Sequence, residues 1–307
     1  MQRYLLIRVA HSILTLLVVS FLVFGMGRLS GNPLDVLLPE DATQEQYDRL
    51  TERWGLDKPI MVQYGKFIQN AFKGDLGDSL VKPNTAMELV AQRLPATFQL
   101  ALLSIAISTI IAVPIGVLAA VKRDTPFDWF GKVIALLGQS VPSFWLGLML
   151  MWVFAVQLGW LPASGRGTFK HMIMPAIALG WFQVAAVMRL LRSSMLDVLD
   201  SEYVKLARIK GLQERKVVWK HCLRNAAIGP LTYYGVIAGI LLTGSVITEQ
   251  VFQWPGTGLL AIEAVRNRDF PVLQAVIIVF AGIFVACNLV VDILYAYLDP
   301  RIRYSTT

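Results

Sequence analysis

Six stretches of this chain contain no Asp, Glu, Lys or Arg, and each is long enough to cross a bilayer. They are Val9–Gly27, Leu94–Val121, Val133–Gly165, His171–Met188, Asn225–Thr248 and Pro271–Val291. A hydrocarbon core about 30 Å thick needs about 20 apolar residues per helix. Lipid satisfies no backbone groups, and no strand-like alternation runs through these stretches, so they are predicted to be helices. Composition agrees: 55% of the 307 residues are hydrophobic, only 16% are charged, and the mean hydropathy is +0.56. A soluble fold carries roughly 25% charged residues. Soluble, disordered and fibrous classes are thereby excluded. Arg3 and Arg8 precede the first stretch as in a signal peptide, but the run is long and no small-residue cleavage site follows. It is expected to be a membrane helix.

Basic residues orient the spans. Residues 1–12 hold two, 122–132 three, 189–224 nine and the C-terminal tail two, whereas the short loops on the other side hold four. By the positive-inside rule both termini are expected in the cytoplasm, with residues 29–96 outside. The net charge of +7 is therefore read as a topology signal, not as a nucleic-acid surface.

Two segments outside the spans are too long to be simple connectors. In the outer one, Thr43–Gly55 reads as an acidic amphipathic helix, capped by Thr43, stopped by Gly55, with Leu50 and Trp54 on its apolar face. Ile60–Phe72 reads as a second, with Tyr64, Phe67, Ile68 and Phe72 turned inward. This segment reads as a cap over the bundle and as a docking surface for an external partner, two roles that can coexist, and Glu45, Glu52 and Lys66 are its candidate docking residues. In the inner segment, 189–224, Asp200-Ser201-Glu202 signals a helix start and Gly211 a stop. Tyr203, Leu206, Ala207 and Lys210 share a face of that helix, which is too short to be stable alone. It reads either as a solvated connector or as a docking element for a cytoplasmic protein that supplies the packing it lacks. A second helix, Gln213 to about Arg224, leads into the fifth span. A third feature, 249–270, holds the Trp254-Pro255-Gly256-Thr257-Gly258 turn cluster, and Leu259–Val265 reads as a short helix that either lies along the surface or forms a structural re-entry before the sixth span.

Catalytic patterns are missing. No phosphate-binding Gly-rich loop, His-Glu-x-x-His pair or Gly-x-Ser-x-Gly elbow occurs. Two cysteines and three histidines make neither a disulfide framework nor a metal centre. No cofactor is expected in this chain. Asp292 is read as the one acid amid a span and as a structural partner of a basic residue.

Several segments are distinctive: Tyr203-Val204-Lys205-Leu206-Ala207-Arg208-Ile209-Lys210-Gly211-Leu212, His221-Cys222-Leu223-Arg224-Asn225-Ala226, Trp54-Gly55-Leu56-Asp57-Lys58-Pro59 and Gly74-Asp75-Leu76-Gly77. Val251-Phe252-Gln253-Trp254-Pro255-Gly256, Arg268-Asp269-Phe270-Pro271 and Asp299-Pro300-Arg301-Ile302-Arg303-Tyr304 belong with them. Together they resemble the permeases of bacterial ABC importers for dipeptides, oligopeptides and nickel. The long first outer loop is similar to that of the first of the two permeases in such systems. The chain departs from the general loop pattern at Lys205 and Leu206, where the peptide branch usually has Thr at the second position.

The resemblance implies an all-α polytopic membrane protein with six transmembrane helices, the type I ABC importer permease fold, in the bacterial inner membrane. It divides the chain into an N-terminal span (1–28), an extracytoplasmic segment (29–93), a five-helix permease core (94–298) and a cytoplasmic tail (299–307). Implied partners are a second homologous permease, two ABC ATPase subunits, an extracytoplasmic substrate-binding protein and membrane lipid. The loop helix would couple to an ATPase through Tyr203, Leu206, Ala207, Arg208, Lys210 and Gly211. The implied cargo is peptide, with nickel chelates, glutathione and opines as alternatives. A stand-alone channel or an intramembrane enzyme is the rival reading, and the loop helix and the missing catalytic sets speak against them.

Overall fold

A computed structural model describes residues 2–29, 34 and 43–298. The helices run α1 (Gln2–Leu29), α2 (Gln44–Trp54), α3 (Ile60–Phe72), α4 (Ala86–Val121), α5 (Pro126–Ser140), α6 (Ser143–Leu150) and α7 (Lys170–Leu199). Then follow α8 (Glu202–Ile209), α9 (214–226), α10 (Ile228–Gly244), α11 (Val246–Phe252), α12 (Thr257–Arg266) and α13 (Phe270–Leu298). α6 continues into a π-wound turn, Met151–Gln157, and α9 contains another, Val217–Cys222.

Four helices, α1, α4, α7 and α13, are unbroken and apolar enough to cross a membrane. Two more spans are bent: α5 meets α6 and its π turn at 103°, and α10 meets α11 at 61°. The charge-free stretch 133–165, longer than one crossing needs, thus contains the break of a bent span at Pro142. Pro142 disfavours helical geometry in Val141, whose ψ is 117°, and itself supplies no backbone N–H. The helix before it begins at Pro126, so Lys132, expected in a loop, lies in a helix. Arg189 and Arg192 likewise belong to α7, not to the loop after it.

The chain forms two compact units, residues 1–97 with 255–307, and residues 98–254. In the first, α1 packs on α13 where Gly27 leaves room for Gln274; a Cβ there would sit 2.5 Å from the amide nitrogen. Thr43 and Gln46 form the reciprocal cap of α2, and Gly55 closes it at φ 65°. The side chains of Leu50 and Trp54 lie outside the described residues. α3 leans on α1 through Tyr64 and Phe67 against Phe21 and Phe24, with ring centroids 5.2–5.6 Å apart. Phe72, expected inside, is 85% exposed at the end of α3. α12 takes the structural one of its two expected roles: Leu260 and Ala264 join Leu76, Val90, Val272 and Val276 in the core of this unit, while Val265 stays exposed.

In the second unit α7 is the central post. Gly180 approaches the Ser104 carbonyl of α4, where a Cβ would be 3.0 Å from the oxygen, and Gly138 of α5 would collide with Ala185 at 2.5 Å. Small residues at crossings bring membrane helices together. Polar side chains in the spans bond to backbone and to neighbouring helices: Thr109 donates to the Ile105 carbonyl at 2.7 Å, and its hydroxyl lies 2.8 Å from Tyr234 Oη.

Candidate functional site

Residues 200–226 of the second unit form a loop with a short helix closed at both ends. Extended Ser201 (φ −71°, ψ 149°) starts α8, and its carbonyl accepts from Val204 and Lys205. At the other end Gly211 N donates to Arg208 O at 2.9 Å and Leu212 N to Ala207 O at 3.3 Å. These two bonds, with Gly211 at φ 75°, form a Schellman close. Open space surrounds the position where a Cβ would stand, so glycine is required by backbone angle, not by crowding.

α8 is anchored from beneath. Val204 is fully buried with Val217, Val218 and Cys222 of α9, Leu191 and Met195 of α7, and the inner end of α4. Ala207 packs against the same cluster. The expected shared face is therefore split: Ala207 looks inward, while Tyr203, Leu206 and Lys210 look out. Ile209, which the sequence reading passed over, is the most exposed apolar residue of the helix at 80%. The outward face is thus apolar, ringed by Lys205, Arg208 and Lys210.

Two side-chain bonds hold the loop in register. Asn225 Nδ2 donates to Tyr203 Oη at 2.7 Å. Arg208 forks onto Glu214, with Nη2 to Oε1 at 2.8 Å and Nε to Oε2 at 3.2 Å. The hydrogen bond from Arg208 holds the Glu214 carboxyl below the usual carboxylate range, and the same bond raises the Arg208 guanidinium. Burial pushes the Cys222 thiol up, which leaves it a packing residue. Of the six residues expected to couple, the structure places Tyr203, Leu206 and Lys210 on one accessible surface. It gives Arg208 and Gly211 turn-holding contacts and Ala207 a packing one.

Near this loop lies a cluster that the sequence reading missed. Asp128, wholly buried at the start of α5, accepts from Arg192 Nε at 2.7 Å and Nη2 at 2.9 Å, and from Lys132 Nζ at 3.0 Å. The Asp124 amide adds a fourth bond at 3.1 Å. The i,i+4 spacing of Asp128 and Lys132 was a visible cue; the 64-residue reach to Arg192 was not. Glu249 is a second missed acid. It stands on α11, the second arm of the bent fifth span, fully buried and accepting from Ser245 Oγ at 2.7 Å. Asp292 is therefore not the one acid amid a span. It occupies α13, but its side chain lies outside the described residues.

On the outer segment, Glu45 pairs with Arg49 at 2.7 Å on the exposed face of α2, and Glu52 is exposed on the same helix. Lys66 stands on α3, beside a cavity lined also by Arg28. The turn 78–85 is clamped: Ser79 Oγ and Leu80 N donate to the buried Asp269 carboxylate, and Lys82 pairs with Glu263 of α12 at 3.0 Å. Thr97 and Thr257 exchange a 2.9 Å hydroxyl contact deep in the same unit.

Sequence comparison places these features. Residues 112–304 match the family described as binding-protein-dependent transport system inner membrane component, and residues 1–101 match its N-terminal counterpart. A dipeptide transport system permease protein, DppB, from Alkalihalophilus pseudofirmus is 41% identical over 94% of both chains. A putative peptide transport system permease of Brucella abortus is 40% identical, over 99% of this chain and all of that one. The glutathione transport system permease protein GsiC of Pectobacterium atrosepticum is 41% identical over 99% of this chain and 100% of its own length. The helical membrane architecture and full-length matches agree: the chain belongs to the binding-protein-dependent transport system inner membrane components, the permease subunits of ABC importers.

Proposed function

We propose that this chain is the membrane-spanning permease subunit of an importer for peptides or peptide-like solutes, glutathione among them. The observation that carries the proposal is α8. It is a short helix fixed by buried Val204 and closed by Gly211, with Tyr203, Leu206 and Ile209 left exposed. Such a face is suited to a groove on a cytoplasmic ATPase. Two relatives named for peptide and glutathione transport support the cargo class.

In this reading both termini and α8 lie in the cytoplasm, residues 29–93 lie outside, 94–298 form the translocating core, and 299–307 form an inner tail. Two ATPase subunits bind and hydrolyse ATP; the permease itself does no chemistry and holds no cofactor. A second homologous permease completes the path, and an external binding protein delivers cargo. Closure of the ATPases on ATP moves α8. Val204 and Ala207 transmit that motion to α4, α7 and α9, because close-packed interiors shift as units. Glu45 and Glu52 on exposed α2 are the candidate contacts for the binding protein.

The test is reconstitution of the chain with its co-purifying subunits in liposomes, with labelled dipeptide and labelled glutathione offered through the binding protein. ATP-dependent uptake of either solute is expected. Uptake that proceeds without nucleotide would identify a channel and overturn the proposal.

A further inference from the structure

A cavity of about 380 Å³ opens between α1, α3 and α13. Its cations are Arg28, one residue from the end of α1, and Lys66 of α3, with amides from Gln63, Asn70 and Gln274 beside them. One acid also lines it: Asp75, whose Oδ1 accepts from Gly77 N at 2.9 Å. Among the described residues neither Arg28 nor Lys66 forms an ion pair. The Arg28 guanidinium instead lies 5.3 Å from the Phe24 ring centroid, half-buried.

Further inward on the same three helices is an apolar groove of about 270 Å³. Ile13, Leu17, Ile68, Ala71, Ile278 and Gly282 line it. Residues 13–20 of α1 are 8–15 positions inward of Arg28, about 12–22 Å by helical rise. One leaflet of the hydrocarbon core is about 15 Å deep. α3 reaches that depth: Tyr64 Oη donates to the Leu17 carbonyl at 3.2 Å and contacts Ser20 Oγ at 2.9 Å. It exposes Ile60, Met61, Val62 and Phe72 on its outer side. Exposed apolar residues on a helix tied to the middle of a span belong in lipid.

We propose that the α1–α3–α13 pocket is a binding site for one anionic phospholipid of the leaflet at the C-terminal end of α1. The phosphate sits between Arg28 and Lys66. One acyl chain follows the groove beneath Ile68 and Ala71, and α3 lies in the headgroup–acyl boundary. Charge selects the headgroup, since two cations that form no ion pair among the described residues outweigh one carboxylate already engaged by backbone. Continuity with the lipid-facing surface of α1 and α13 selects a lipid over a soluble anion. The site needs only that the chain spans a membrane, and does not depend on which solute it carries.

The experiment uses the full-length chain with its accompanying subunits, in nanodiscs of phosphatidylethanolamine and phosphatidylglycerol. Native mass spectrometry counts the lipids retained on extraction, and spin-labelled phosphatidylglycerol reports the immobilised fraction. Retention of phosphatidylglycerol over phosphatidylethanolamine is expected. Arg28→Gln and Lys66→Gln should each weaken it about fivefold, and Arg28→Lys should preserve it. Gly282→Leu, where a Cβ meets open space, fills the groove and should also release the lipid. Equal retention of both lipids overturns the proposal. So does unchanged retention in the folded Gln variants. Displacement by millimolar glycerol 3-phosphate together with full retention in Gly282→Leu would identify a free-anion site and overturn it too. The headgroup comparison on the unaltered chain decides the matter even where a variant fails to fold.

Discussion

Ser79 donates its hydroxyl to the carboxylate of Asp269, 190 residues further along the chain. The contact joins two segments that are each distinctive as sequence, Gly74-Asp75-Leu76-Gly77 with the turn behind it, and Arg268-Asp269-Phe270-Pro271. Gly77 lies against Pro271, 3.5 Å from a built Cβ, and Leu76 enters the core with Val272. The outer segment is thereby fastened to the start of the last span. Asp269→Ala leaves the Ser79 hydroxyl and Leu80 amide without their acceptor, at a cost of about 1–3 kcal/mol. A lowered melting temperature is expected, with faster proteolysis of residues 74–85. An unchanged proteolytic pattern would show that the clamp is not what holds the turn.

The ion cluster at Asp128 should respond asymmetrically. The carboxylate is fully buried, whereas the Arg192 side chain is 23% exposed and Lys132 is 51% exposed. Removing Arg192 strands much of a buried charge, and removing the charge strands only a cation that can reach water. Breaking a buried pair this way costs about 3–5 kcal/mol. Arg192→Met is therefore expected to lower membrane abundance and thermal stability more than Asp128→Asn. The double variant should recover part of the loss. Equal effects of the two single changes would contradict this account.

Acidity should loosen the inner loop through Glu214. Its folded-state pKa is depressed by the Arg208 bond, so the pair stabilises above the ordinary carboxylate value. That stability fades as pH falls through the depressed folded value. The side chains are 40% and 55% exposed, so the contribution is small. The melting difference between the unaltered chain and Glu214→Gln should be present at neutral pH and vanish in acid. A difference that grows as pH falls would reverse the sign and remove the pair as its cause.

Much of this fold is legible in sequence because lipid is an unforgiving solvent. Every charge-free run is helical over most of its length, two of them bent, and local chemistry set the ends of the shorter helices: Thr43 and Gly55 bound α2, and Ser201 and Gly211 bound α8. What stayed hidden were properties of packing. Periodicity put Ala207 with Tyr203 and Leu206, but only the position of α9 beneath it decides that Ala207 turns inward. Charge counting took Arg192 as a loop signal, because its partner lies 64 residues away. Glu249 was excluded from the fifth span since an acid ends an apolar run in sequence, though Ser245 and burial admit it in three dimensions.

Orientation is testable on this surface. Glu45→Cys and Lys205→Cys replace exposed residues of α2 and α8, and native Cys222 is buried. In intact spheroplasts an impermeant maleimide should label the first and spare the second until the membrane is opened. The reverse order would invert the topology.

The last prediction separates coupling from folding. Leu206→Glu and Ile209→Asp change residues 55% and 80% exposed, so the free chain should tolerate them within about 0.5 kcal/mol. Ala207→Glu is different in kind. It drives a carboxylate toward Val217, Val218 and Cys222, and should reduce abundance of the protein itself. Gly211→Val forces a β-branched residue to φ 75°, costing about 1–2 kcal/mol at the helix stop while touching no neighbour. Membrane abundance, co-purification of the ATPase and uptake are measured on the same preparations. Leu206→Glu and Ile209→Asp should leave abundance intact, release the ATPase and abolish uptake. Gly211→Val should insert normally and lower uptake by distorting how α8 is presented. Full uptake by both Leu206→Glu and Ile209→Asp, at normal abundance, would remove the outward face of α8 from the coupling path.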